Sequence, residues 1–371
     1  MSKNTIGREY QHIEDFLIDG GSESVLEVVE HLNRAINDPI FFDYKWDGSA
    51  SLYWGRDEDG KFYFIPKNQW SKGQLLSRDS LYDEILNTGR QRPSQSDKDF
   101  QKSRKSFGKS LMKLWDLLES NTPQEFRGFL NGDLIFTSRL GKDLSITPNK
   151  VKFKFDETSF DGRIKTADVM IVVHGQFDEF GMETLGNIYT VSDEEINKFN
   201  QSKKLIVLNT QFVNIPTINV QKKLDILKEY VTKNRKHIDK ISDFEADGFT
   251  TLKSKLYSYS VAFGKSRESL SVLDWVQKSK LSSNHKTIIK SLSKTPEWNK
   301  FWAVYVILQS LKLDILTDIF KYDTTMAELG IEQTINGFYG GEGFVTEMDN
   351  GQIIKLINPE FRYADTNQRF K

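Results

Sequence analysis

The chain reads as an α+β protein, with strands toward its two ends and helices between them, and three observations carry that reading. Short apolar runs, some strictly alternating, recur between turn residues from about 40 to 215. After Pro216 they give way to long amphipathic segments with few strand signals. Beyond 330 a cluster of glycines, Gly337, Gly340, Gly341 and Gly343, punctuates a return to strands. The expected organisation is a mixed domain whose first part is 1–215, a basic helical insertion at 216–330, and a completing segment at 331–371.

Taken in order, the first element is a helix over 25–37. Ser24 and Glu27 form a capping box, Val25, Val28, Val29, Leu32 and Ile36 make an apolar stripe, and Pro39 stops it. Strands are predicted at 40–46, 50–54 and 61–65, the last two joined by Asp57-Glu58-Asp59-Gly60. The polar stretch 90–106 reads as a loop. A helix bearing Leu111, Leu114, Trp115 and Leu118 leads to a strand at 133–137. Val151, Phe153 and Phe155 alternate with Lys152 and Lys154, as in a half-buried strand, and 167–173 and 205–208 read as buried strands. Helices are expected at 220–240, 266–279, 284–293 and 298–320. Strands at 342–348 and 352–357 close the pattern, turned by Asp349-Asn350-Gly351.

Composition narrows the class. Of 371 residues 38% are hydrophobic and 28% charged, the balance of a globular protein, and no apolar run reaches the length of a membrane span. The N-terminal stretch is polar and lacks the apolar core of a signal peptide. The absence of cysteine excludes disulfides, thiolate metal sites and cysteine nucleophiles, and fits a reducing cytoplasm. The five histidines, at 12, 31, 174, 237 and 285, show no zinc-ligand spacing. The net charge of −1 conceals an asymmetry: residues 221–300 carry 17 Lys and Arg against 9 Asp and Glu. A basic segment on an otherwise acidic chain points to a polyanionic partner.

Four short motifs follow one another along the chain. Lys45-Trp46-Asp47-Gly48-Ser49 comes directly after the aromatic run Phe41-Phe42-Asp43-Tyr44. Asn131-Gly132-Asp133-Leu134, Glu342-Gly343-Phe344-Val345 and Lys355 come later. In order and spacing they resemble motifs I, III, IV and V of the covalent lysine nucleotidyltransferases, which comprise ATP-dependent DNA ligases, RNA ligases and mRNA capping enzymes. Three departures stand beside the resemblance. Motif III has aspartate where glutamate is usual, motif V keeps one lysine flanked by Ile353 and Ile357, and the insertion is larger than usual. Only sixteen residues follow Lys355, too few for the C-terminal oligonucleotide-binding fold of DNA ligases and capping enzymes. In this the chain looks more like phage-type RNA ligases. Its N-terminal half, with Thr147-Pro148-Asn149, also resembles nucleotidyltransferase-like proteins of tailed phages.

The resemblance implies the adenylylation-domain fold of antiparallel sheets with flanking helices, and ATP and Mg²⁺ as cofactors. It makes Lys45 the nucleophile, which must be deprotonated from a reference pKa near 10.4. Lys355 becomes the cation at the α-phosphate, and Glu342 with Asp133 the metal ligands. Asp47 and Gly48 shape the turn at the nucleotide. Lys67, or alternatively Arg56, supplies the basic residue of motif Ia. Phe177, with His174 as alternative, takes the stacking position of motif IIIa, and Phe344 packs on the base. A second Asp-Gly motif, Asp247-Gly248-Phe249-Thr250 with Lys253 and Lys255, ranks behind Glu342 and Lys355 because its interval is too short for a returning hairpin. The implied activity is RNA ligation through a lysyl-AMP intermediate, joining 5′-phosphate to 3′-hydroxyl ends. Lys233, Arg235, Lys236, Lys286 and Lys290 of the insertion are candidates for gripping the polynucleotide. Other enzymes of the scaffold remain alternatives: a DNA ligase, a capping-type guanylyltransferase or a protein-directed adenylyltransferase. So does a non-catalytic nucleic-acid-binding or virion-associated protein that keeps the fold. No membrane partner is expected, and the expected compartment is the cytoplasm, that of the host if the protein is phage-encoded.

Overall fold

The computed structural model describes residues 10–38, 41–46, 51–88, 91, 95–136, 151–180, 191–210, 212–213, 215, 217–244, 252–266, 270–329, 331–335, 338–339 and 343–358. The mixed α+β reading holds. In the N-terminal part the elements are β1 (Tyr10–His12), α1 (Asp15–Ala35), β2 (Asp43–Tyr44), β3 (Ser51–Arg56), β4 (Phe62–Pro66), α2 (Lys67–Trp70), α3 (Arg78–Asn87), α4 (Asp97–Asn121), β5 (Gly128–Phe136), β6 (Val151–Phe155), β7 (Val169–Phe177), α5 (Asp193–Asn197) and β8 (Leu205–Asn209). The helical stretch holds α6 (Gln221–Ser242), α7 (Leu252–Lys265), α8 (Val272–Lys278), α9 (Ser283–Leu292), α10 (Pro296–Tyr322) and α11 (Thr325–Glu328). The chain then returns to strands with β9 (Ile331–Ile335), β10 (Phe338–Tyr339), β11 (Gly343–Glu347) and β12 (Ile353–Ile357).

Two sheets frame the molecule. A five-stranded sheet runs β4-β3-β5-β7-β8, antiparallel except for the β7–β8 pair. A four-stranded sheet runs β1-β12-β11-β2, in which β1 joins β12 in parallel, so the first and last described strands lie side by side. A third, three-stranded sheet is β10-β9-β6.

Strand alternation assigns the faces. Leu52, Trp54, Leu130, Leu134, Val169 and Ile171 form the outer face of the five-stranded sheet and pack under α3 and α4. The inner face carries an aromatic group at one end, Phe129, Phe177, Tyr63 and Trp70. At its other end Ile135, Met170 and Val172 join the main core, which continues through α1, α6, α7 and α10 to Tyr44, Phe344, Ile354 and Leu356 of the four-stranded sheet. The segment expected as an insertion therefore shares one continuous apolar core with the N-terminal helix.

Several expectations shift. Helix α1 begins at Asp15, ahead of the capping box, and breaks at Gly21, whose φ of 63° is open to glycine. The N–H of Ser22 exposed by that break donates to Asp239 Oδ1 of α6 at 2.8 Å. The stretch 90–106, expected to be a loop, contributes the first turns of α4. Its start is capped by Ser96, whose Oγ accepts the N–H of Asp99 at 3.2 Å. The helix expected at 266–279 is the shorter α8, and α7 before it was not expected.

Candidate active site

Lys45 stands at the end of β2, the edge strand of the four-stranded sheet. Its backbone N–H donates to the carbonyl of Gly343 at 2.9 Å, extending the β2–β11 ladder by one pair. Gly343 has a φ of 150°, and a Cβ there would lie 2.0 Å from the carbonyl oxygen of Leu356, so no other residue fits without displacing the β11–β12 pair. The buried Trp46 follows Lys45, and the chain passes into Asp47 and Gly48, which lie outside the described residues.

Register fixes what shares a face with Lys45. Asp43 pairs with Val345, and Val345 with Lys355, so Asp43, Lys45, Val345, Glu347 and Lys355 occupy the face turned away from the main core. His12 on β1 is in register with Lys355. Lys355 is half-buried. Burial pushes the Asp43 carboxyl up to about 7, with the nearby charge of Glu347 adding to the rise. Burial also raises Glu347.

Opposite, on the inner face of the five-stranded sheet, Asp133 is the centre of a polar group. Residues 131 and 132 of β5 pair with 175 and 173 of β7, leaving His174 as the extra residue of a β-bulge. Its Nε2 lies 3.5 Å from Asp133 Oδ2. Ser51, beside Asp133 in the β3–β5 register, hydrogen-bonds its carboxylate. Asn131 Nδ2 donates to Ser51 Oγ at 3.4 Å and to the Leu52 carbonyl at 3.3 Å. Burial by itself pushes the Asp133 carboxyl up. The hydrogen bond and charge of His174, the Lys45 ammonium and the Ser51 hydroxyl outweigh it and hold the group below its usual range. The Lys45 charge is thus felt at Asp133 across the two sheets.

The remaining predicted residues divide. Pro66 pairs with Leu52, so Lys67 starts α2 at the same sheet end as Ser51 and Asp133, and it is exposed. Arg56 does not serve the site. Its guanidinium is sunk among the carbonyls of Gly60, Pro123, Glu119 and Thr122 at 3.0–3.4 Å, beside the Phe62 ring. Phe177 is not open to a base: it is buried with Trp70 and Tyr53 four register pairs from Asp133. Phe344 is likewise enclosed, edge-on to Tyr44 and tilted against Phe320, because its face of β11 turns toward the helices. Glu342 lies outside the described residues. Lys253 and Lys255 sit on a helix, where Lys253 Nζ donates to the Asp19 carbonyl, and the Asp247-Gly248 pair preceding them is not described.

Sequence reasoning missed Ser51 and Tyr53. Both alternate with the core residues Leu52 and Trp54, which is the signal that could have found them. Tyr53 is half-buried and stacks flat on Trp70, ring centroids 4.1 Å apart and planes 6° apart. It is the aromatic ring nearest in register to Ser51. Of the insertion candidates, Lys233, Lys236 and Lys290 are exposed, Arg235 faces Glu23 and Asp239 at 3.7 Å, and Lys286 Nζ donates to the Gln277 carbonyl.

Among the described residues no three His, Asp or Glu side chains gather as a metal cage, and no helix is long and apolar enough to cross a membrane. Compared with protein-family models, curated proteins and solved structures, the chain finds no match.

Proposed function

We propose that the protein is a lysine nucleotidyltransferase of the RNA ligase type. The observation that carries the reading is that Lys45 and Lys355 share one face of the four-stranded sheet, with the Lys45 charge felt at Asp133 of the five-stranded sheet. In the proposed step Lys45 would give its ammonium proton to solvent, favoured by the second cation Lys355, and attack the α-phosphate of ATP as the free amine: the Nζ–P bond forms, the bond to pyrophosphate breaks, and the surplus amine proton passes to the departing pyrophosphate or to solvent. Lys355 would draw the α-phosphate toward Lys45. The AMP would then pass to a 5′-phosphate end, which a 3′-hydroxyl seals. Asp133 offers the oxygen donor that Mg²⁺ prefers, with Glu342 expected as its companion. When bound, the ion would neutralise phosphate charge. A second reading is a non-catalytic nucleotide- or nucleic-acid-binding protein. The engagement of Asp133 by His174 and Ser51 favours it, since those bonds compete with a metal for the same oxygens.

The test is incubation with each α-labelled nucleoside triphosphate and Mg²⁺, followed by denaturation. Acid-labile, alkali-stable label from ATP, lost in both Lys45→Ala and Lys45→Arg, is the expected result. Arginine keeps the charge but cannot give up its proton to become a nucleophile. Label from GTP instead indicates capping-type chemistry. Absence of label with every nucleotide supports the binding protein.

A further inference from the structure

Helix α4 carries a stripe of basic residues that the charge count of the sequence passes over. Lys98, Lys102, Lys105, Lys109 and Lys113 recur at intervals of three and four residues along one side, and all five are exposed. No acid stands between Asp99 and Asp116. The acids that flank this run in sequence are engaged elsewhere: Asp116 by Arg78 at 2.9 Å, Asp99 by the Ser96 hydroxyl at 2.6 Å and Asp97 by Gln91 at 3.0 Å. None of the five lysines joins an ion pair among the described residues. The basic segment 221–300 differs in that some of its cations are paired internally. Arg235 faces Glu23 and Asp239, Lys240 bonds Glu297 at 2.9 Å, and Lys223 bonds Asp314.

We propose that the outer face of α4 holds the phosphate backbone of a nucleic-acid strand. At about 1.5 Å per residue the stripe runs roughly 22 Å, with a lysine about every 6 Å. Duplex nucleic acid presents about one charge per 1.7 Å of axis, so the stripe meets phosphates along its whole length. The chemistry disfavours a lipid surface. A helix lying in a membrane interface needs an apolar face, whereas Leu111, Leu114, Trp115 and Leu118 are committed to the core and Gln101, Ser103 and Ser106 stand exposed near the lysines. From the ligase reading the proposal takes only the expectation that a polynucleotide is the acceptor. Binding needs neither ATP nor a reactive Lys45.

The test uses the full chain with fluorescent single-stranded and duplex RNA and DNA oligonucleotides, titrated at several salt concentrations. A variant carrying Lys98→Gln, Lys102→Gln, Lys105→Gln, Lys109→Gln and Lys113→Gln is compared with a charge-matched control at exposed lysines given no binding role, Lys72→Gln, Lys198→Gln, Lys203→Gln, Lys222→Gln and Lys228→Gln. Wild type should bind with a steep salt dependence. The α4 variant should lose about 0.7 in the log K against log salt slope per contact removed on a single strand, and about 30-fold or more in affinity at moderate salt, while the control changes less than about threefold. Lys45 labelling, where wild type shows it, should survive in both, so loss of labelling and loss of binding fail independently. If the fivefold variant unfolds by circular dichroism, a 98/102/105 triple and a 109/113 double should each show part of the loss. Equal binding by the α4 variant overturns the proposal. So does equal loss in the control, absence of wild-type binding at the lowest salt, or binding confined to phosphatidylserine vesicles.

Discussion

Gly343 does two things at once: its carbonyl takes the N–H of Lys45, and its backbone adopts an angle that a side chain would oppose. Gly343→Ala should therefore cost about 1–3 kcal/mol in urea unfolding and lower Lys45 labelling more than that loss of folded protein explains. A normal yield of label would separate Lys45 placement from Gly343. Lys355→Ala should reduce labelling by about two orders of magnitude, the scale of losing one charge-stabilising group, while Lys253→Ala and Lys255→Ala leave it near wild type. The opposite ranking would transfer the site to the second Asp-Gly motif. Asp43 supplies a pH test. Its folded carboxyl titrates at about 7, above its ordinary value of 3.8, so its contribution to stability is full at low pH and is lost as pH rises toward 7. Asp43→Asn should raise unfolding stability at pH 8 by on the order of 2–4 kcal/mol and change little at pH 4. His31, lowered to about 4 chiefly by burial and also by Arg34, gives up stability as pH falls from about 6.5, but equally in both proteins. A gain of the same size at pH 4 and pH 8 would show that packing, and not charge, governs position 43.

At the level of elements, α10 and the start of α1 are tied by Lys312 Nζ and Glu14 Oε1, 2.6 Å apart and both fully buried. A buried pair of this kind holds two elements in one register without adding much net stability, because each charge has surrendered its hydration. Lys312→Met alone should cost about 3–5 kcal/mol, and Glu14→Gln combined with it should restore most of that. Simple additivity of the two losses in a double-mutant cycle would refute the coupling. Elements whose apolar stripes face a core were the legible ones, as with Val25, Val28, Val29 and Leu32 in α1 or Leu111, Leu114 and Trp115 in α4. What stayed hidden was decided elsewhere in the chain. The break at Gly21 depends on Asp239 to receive an exposed N–H, and the first turns of α4 are so polar on their lysine side that no stripe betrays them. Helix α7 was missed although Leu252, Leu256, Tyr259 and Phe263 recur at helical spacing, because the Asp-Gly pair before it drew the reading toward a turn.

For the whole molecule, the motifs told which strands carry the candidate residues but not which way those residues face. Lys45 and Lys355 stand on the four-stranded sheet and Asp133 on the five-stranded one, and the β11–β12 hairpin turned by Asp349-Asn350-Gly351 is present. Face assignment is where sequence reasoning failed. Alternation tells which residues travel together, but only the packing of α10 decides that Phe344 turns inward, and only the bulge at His174 turns that ring toward Asp133. Arg56 shows the same limit in another form, since three of the four carbonyls that enclose its guanidinium, those of Glu119, Thr122 and Pro123, come from more than sixty residues away.

The parallel union of β1 with β12 gives the protein an order of assembly during its own synthesis. The sheet that carries Lys45 is completed by strands translated near the end of the chain, and the carbonyl that seats Lys45 belongs to one of them. While a ribosome is still making the middle helices, the four-stranded sheet does not exist and Lys45 has no seat. A chain broken off before residue 343 would retain the Lys45 motif and the Asp133 partner strand yet be unable to bring them together. If Lys45 carries the proposed chemistry, chains lacking β11 and β12 would be without it until those strands close beside β1 and β2.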